Sequence, residues 1–217
     1  MAVSAIAFDL DGTLIDSNQV KRRGFDHVFE GYPDWLAHVA AVLETHRKSF
    51  RTVVIREVLR RMNAEGWPAT QPTEEHVAEL AERYNRFCID GAVACPEIAG
   101  AGEMLHKLAS THALFINTAT ATEAAVEIIN RRGWTRHFKA VLGFPPSKEE
   151  NLADIARMED LLAGDMLMVG DDDHDLEAAS AFGCPSVALL GPTSHFTRPL
   201  PLAISSLAEL PPLLDQI

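Results

Sequence analysis

The chain has 217 residues, 47% of them hydrophobic and 23% charged. That composition excludes a disordered chain, a collagen-like fibre and a small disulfide scaffold, and it supplies enough apolar material for a sizeable core. Its 19 basic and 31 acidic residues leave a formal net charge of −12, the opposite of the clustered positive charge that binds nucleic acid.

In chain order, Met1-Ala-Val-Ser-Ala-Ile-Ala-Phe8 lacks a basic n-region and runs straight into charged sequence, so it does not read as a signal peptide. Within it Ala5–Phe8 is a short apolar run. Residues 17–95 then read as helices: Asn18–Phe29, an interrupted Asp34–Met62, and Glu74–Phe87, punctuated by Gly31-Tyr-Pro33 and Gly66-Trp-Pro-Ala-Thr-Gln-Pro72. After them come apolar runs at Ala113–Ile116, Ala140–Leu142, Met166–Val169 and Ser186–Leu190, alternating with helix candidates at Ala101–Ser110, Glu123–Arg132, Lys148–Leu162 and Asp175–Phe182. Gly133 and Gly183 stand where helix C-caps belong. The tail from Leu202 reads as a last edge strand and a short helix. Short strands without polar alternation suit a parallel sheet buried on both faces, so the pattern predicts a doubly wound α/β domain interrupted by a helical cap. The expected division is a discontinuous core, residues 1–16 and 96–217, and a cap, residues 17–95. No run approaches the roughly 18 apolar residues of a membrane span. Cys88, Cys95 and Cys184 are odd in number and form no CxxC pair, which argues against disulfides or zinc and suits a reducing cytoplasm.

Ligands of open α/β sheets bind beyond the carboxyl ends of the strands, so the chemistry is sought there. After the first run comes Asp9-Leu-Asp11-Gly12-Thr13. Two carboxylates two residues apart share a face if the strand persists, and Gly12 permits a sharp exit. Such a pair could ligate Mg²⁺, or one member could attack while the other moves protons. After a later run comes Gly170-Asp171-Asp172-Asp173-His174-Asp175. Some of these acids suit a helix N-terminus, but so many carboxylates repel one another unless a cation compensates, and an oxygen-rich cluster suits Mg²⁺. Asn117-Thr118-Ala119-Thr120 can offer a hydroxyl and backbone N–H groups to an anion. Lys148, ending Gly143-Phe-Pro-Pro-Ser-Lys148 just before a helix, is a candidate counter-charge for phosphate.

Phe8-Asp-Leu-Asp-Gly-Thr-Leu-Ile-Asp-Ser17, Thr118, Lys148 and Gly170-Asp171-x-x-x-Asp175, in that order, resemble the four motifs of the haloacid dehalogenase superfamily. The resemblance covers residues 3–16 and about 96–192, and it implies a Rossmann-like core with a cap inserted after the first motif. It further implies a Mg²⁺-dependent phosphatase acting on a small phosphorylated metabolite through an aspartyl-phosphate. In that scheme Asp9 is the nucleophile and Asp11 the leaving-group acid and later base. Thr118, Lys148, Gly12 and Ala119 bind the phosphoryl oxygens, and the metal is held by Asp9, Asp11 (through its carbonyl) and Asp171, with Asp175 ligating it or orienting its shell. Asp172 stands where many members carry Ser or Thr and is a further candidate ligand. The cap would exclude water in the first step and admit it in the second. Of its polar residues Asn18, Lys21, His46, Arg47, Lys48 and Arg51, Lys21 or Arg51 is expected to read the substrate. Asp11 argues against a dehalogenase or a phosphonate hydrolase. A phosphomutase shares every core motif and is the alternative; a silent binding protein has no degraded motif to support it. The expected partners are the metabolite alone, without nucleic acid or membrane, in a monomer or homodimer.

Overall fold

The computed structural model describes residues 3–46, 49–67, 70–200 and 202–216. Two compact units emerge, one made of Met1–Asn18 with Ala92–Ile217, the other of Gln19–Gly91.

The first unit is built on a six-stranded sheet in the order β3-β2-β1-β4-β5-β6. The strands are β1 (Ala5–Phe8), β2 (Ala113–Ala121), β3 (Ala140–Phe144), β4 (Met166–Gly170), β5 (Ser186–Leu189) and β6 (Ala203–Ile204), and every pairing is parallel. β1 is central, with Phe8 in register with Ile116 on one side and Val169 on the other. All four of its residues are buried, which is why the run lacks alternation: both faces of the sheet are covered. One face carries Ala5, Ala7, Phe115, Met166 and Met168, packed with Leu152 and Ile155 of α7 (Lys148–Glu159) and Ala178 and Ala179 of α8 (Asp173–Phe182). Their buried neighbours Ile6, Phe8, Leu114, Ile116, Leu167 and Val169 point to the other face, as the two-residue period of a strand requires. α5 (Ala101–Leu108) buries Met104 and Leu105, and α6 (Thr122–Arg131) packs against β2 and β3. Sheet order 3-2-1-4-5-6 reverses direction between β1 and β4, and a crevice opens beyond the strand ends at such a reversal.

The second unit is helical. The helices α1 (Asn18–Phe29), α2 (Trp35–Thr45), α3 (Arg51–Ala64) and α4 (Glu74–Ala94) share one core of Phe25, Val28, Phe29, Val42, Ile55, Leu59, Leu80 and Tyr84 among others. Each fully buried aliphatic or aromatic side chain there contributes roughly 1.5–3 kcal/mol. The predicted Asp34–Met62 segment is two helices, and α4 runs past Phe87 to Ala94. The tail forms β6, a 3₁₀ turn at Leu207–Glu209 and α9 (Leu210–Leu214). No helix among the described residues is long and apolar enough to cross a membrane.

Candidate active site

The site lies at the carboxyl ends of β1, β2 and β4, with one residue delivered from the loop after β3. Asp9 directly follows β1, and its backbone N–H donates to Val169 O at 2.9 Å, which carries the sheet's hydrogen bonding on to the nucleophile candidate. The chain then turns sharply. Gly12 adopts φ +89°, and a Cβ there would run into the Asp171 carboxylate and the Asn18 amide, so glycine is required both by conformation and by space. This turn brings Thr13 Oγ1 to donate to Asp171 Oδ1 at 3.1 Å, and Asn18 Nδ2 to Thr193 Oγ1 at 3.1 Å.

β4 ends on Gly170, where a Cβ would occupy the place of the Asp175 carboxyl group. Beyond it α8 begins, and Asp172 is its N-cap, its side chain accepting from the His174 N–H at 2.8 Å. Asp175 is turned the other way, into the protein, and is wholly buried. Carboxylate oxygens of Asp9, Asp171 and Asp175 come within 4.8 Å of one another. Asp172 is not in that cluster: its carboxylate serves the helix terminus, where orphan N–H groups need an acceptor.

Lys148 is placed by a capping box. Ser147 accepts from Glu150 N–H at 3.2 Å while Glu150 accepts from Ser147 N–H at 2.7 Å, which starts α7 at Lys148. Asn117 Nδ2 donates to Lys148 O at 2.9 Å, and Asn117 Oδ1 accepts from Asn151 Nδ2 at 3.1 Å. The ammonium donates to Asp9 Oδ1 at 2.7 Å and Asp175 Oδ1 at 2.5 Å. Burial alone would lower the lysine's pKa, but the facing carboxylates of Asp175 and Asp9 raise it well above the usual value, which favours the charged ammonium. Burial, followed by the charge of Asp9, pushes Asp171 up to about 7. Asp175 is likewise raised, chiefly by burial and against the pull of Lys148.

Thr118 lies inside β2, with Ala121 rather than Thr118 capping α6. Its Oγ1 accepts from Thr120 N–H at 3.1 Å, which leaves the Thr118 proton to be donated elsewhere. Asp11 is buried and receives Ser17 Oγ on Oδ1 at 2.5 Å and Thr120 Oγ1 on Oδ2 at 2.7 Å. Sequence reading missed these supporting roles of Thr13, Ser17, Asn117, Thr120 and Asn151. Their types signalled hydrogen bonding, but not which carboxylate or carbonyl each would meet. Ala119 sits exposed on β2. Lys21 lies on α1 and Arg51 opens α3, both in the helical unit, where Tyr84 Oη donates to Lys21 O at 3.2 Å. His46 is the C-cap of α2; Arg47 and Lys48 lie outside the described residues.

Three buried carboxylates face one ammonium, so mutual repulsion remains, and every donor in the cluster is an oxygen. That set fits a hard divalent cation such as Mg²⁺, which is commonly bound by one or two carboxylates together with water and phosphate oxygens.

A family model of haloacid dehalogenase-like hydrolases matches residues 6–189. A phosphoglycolate phosphatase of Xylella fastidiosa is 30% identical over 97% of this chain and 91% of its own length. That of Salmonella typhimurium is 27% identical over 86% and 81%. Among solved structures, the HAD-hydrolase YfnB from Bacillus subtilis bound to magnesium superposes with a TM-score of 0.75 at 18% identity, covering 99% of this chain and 100% of that one. The L-2-haloacid dehalogenase from Xanthobacter autotrophicus gives 0.67 at 17%, covering 99% of each. At these identities the two structures speak for the fold.

Proposed function

Because the chain belongs to the haloacid dehalogenase-like hydrolases, we propose that it is a phosphatase that transfers the phosphoryl group of a small phosphate monoester to Asp9 and then to water. The observation that carries this reading is the Lys148 ammonium held between Asp9 and Asp175 at 2.7 and 2.5 Å. It fixes a positive charge where a carboxylate must approach an anionic phosphoryl group.

An oxygen of the Asp9 carboxylate attacks phosphorus, and the bond to the leaving oxygen breaks as the new one forms. Lys148 and Thr118 hold phosphoryl oxygens, the first by charge and the second through its hydroxyl proton. Asp11 gives a proton to the leaving oxygen, then takes one from the water that attacks the aspartyl-phosphate, which returns Asp9 as a carboxylate and releases inorganic phosphate. Asp9, Asp171 and Asp175 would hold Mg²⁺, which when bound offsets the charge of nucleophile and phosphoryl group. The first substrate to try is 2-phosphoglycolate, since the relatives at 27–30% identity are phosphoglycolate phosphatases. The three cysteines, none of them in a disulfide, favour a reducing cytoplasm as the place of work.

The test is phosphate release from 2-phosphoglycolate, sugar phosphates and nucleoside monophosphates, with Mg²⁺ or with a chelator, beside Asp9→Asn. Release is expected to require both Mg²⁺ and Asp9, with at least about a 10³-fold loss in the variant, in line with removal of a covalent nucleophile. Release that persists in Asp9→Asn overturns the reading.

A further inference from the structure

Asp11 is gripped from two directions. Ser17, buried in the same loop, donates its hydroxyl to Oδ1, and Thr120, delivered by β2 from 109 residues away, donates its own to Oδ2. The loop that carries Ser17 is itself fixed, since Gly12 N–H donates to Ile15 O at 2.8 Å and Ser17 N–H to the same carbonyl at 3.0 Å. Thr120 is fixed too, its N–H bound to Thr118 Oγ1 at 3.1 Å. Thus the two hydroxyls tie one carboxyl group to the turn after β1 and to the end of β2, the elements that supply Asp9 and Thr118.

We propose that Ser17 and Thr120 are positioning residues for Asp11, holding its carboxyl group in line with the leaving oxygen through both halves of the reaction; the inference rests on the phosphatase reading above. A hydroxyl is both donor and acceptor. It can therefore donate to the carboxylate and accept from the carboxyl group as Asp11 loses its proton to the leaving oxygen and regains one from water, where a backbone N–H can only donate. The β2 threonines then divide the work: Thr118 serves the phosphoryl group and Thr120 serves the group that protonates what leaves.

The test uses two compounds that differ in their need for that proton. p-Nitrophenyl phosphate releases an acidic phenol that departs unprotonated, whereas glycerol phosphate releases an alcohol that needs the proton. The ratio kcat/KM reports steps up to leaving-group departure and isolates the first half-reaction. Thr120→Val is expected to lower kcat/KM for glycerol phosphate by about 10- to 100-fold, part of the roughly 10²–10⁴-fold that a positioned acid supplies. For p-nitrophenyl phosphate the loss should stay under about threefold, again because the acid's contribution is not needed there. Thr120→Ser should restore both values, and Ser17→Ala should repeat the split and stand in if Thr120→Val fails to fold. Equal losses on the two compounds, or none on either, with Asp9→Asn inactive, overturn the positioning role and leave the phosphatase reading intact. Full activity of Asp9→Asn, or no release by the wild type from either compound, overturns both.

Discussion

Asn117 shows how a polar side chain can be part of a core. It is fully buried, yet both ends of its amide are used: Nδ2 on Lys148 O and Oδ1 on Asn151 Nδ2. Its removal strands a buried donor on α7 and a carbonyl at the base of the lysine that faces Asp9. Asn117→Leu, similar in volume, is expected to cost about 1–3 kcal/mol, lowering Tm by roughly 2–12 °C for a chain of this size. Thermal unfolding checks the value, and an unchanged Tm would mean the amide pair contributes nothing net. At this scale the sequence is legible by chemical type. Asp9, Asp171, Asp175 and Lys148 stand in motifs that name a chemistry, and the structure brings all four together. Asp172 carries the same carboxylate one residue from Asp171, and only the start of α8 distinguishes the residue that caps from the one that turns inward.

Among the elements, α4 and β2 outrun their sequence signals. The sequence pattern predicts a helix over Glu74–Phe87, yet α4 reaches Ala94. Its end is held from a distance: Arg132 Nη1 donates to Ala92 O, Val93 O and Cys95 O, each at 2.9 Å. These include carbonyls that a helix leaves without partners at its C-terminus, and a cation there also meets the negative end of the dipole. The same guanidinium lies 4.7 Å above the Trp134 ring. Nothing local in Gly91-Ala-Val-Ala-Cys95 could have revealed a cap supplied from α6's end. Arg132→Met is expected to lower stability by about 1–3 kcal/mol and to speed hydrogen exchange in the last turn of α4. Exchange there at the wild-type rate would show that the carbonyls are equally well served by water. The apolar run Ala113–Ile116 marks only the start of β2, which continues to Ala121, with buried Asn117 bonded to Lys148 O and Asn151 Nδ2.

For the molecule as a whole, strand–helix alternation was enough to give the α/β class, because a parallel sheet covered on both faces imprints its burial directly on composition. Strand order is less visible in sequence, and it is what brings Asp9 and Asp171, each just past the end of its strand, together at the neighbouring ends of β1 and β4. Charge works at this scale too. With −12 overall and three carboxylates converging in one unit, a divalent cation should stabilise the fold by mass action. Mg²⁺ at about 100 times its Kd is expected to add about 2.7 kcal/mol, or roughly 5–10 °C in the Tm of the α/β unit. Calorimetry with Mg²⁺ against chelator measures this, and Asp171→Asn should lose most of the increment. A shift of the same size in that variant would place the cation elsewhere.

The central strand also sets an order of events at birth. β1 spans Ala5–Phe8, but its partners begin at Ala113 and Met166, so during synthesis the first strand made waits for both of its neighbours. At about 5–20 residues per second the ribosome needs roughly 8–30 s to go from Phe8 to Val169. The helical unit, continuous from Gln19 to Gly91, is complete well inside that interval. Through that interval the nascent chain carries an unpaired Ala-Ile-Ala-Phe segment, an apolar stretch left exposed until the sheet can close around it.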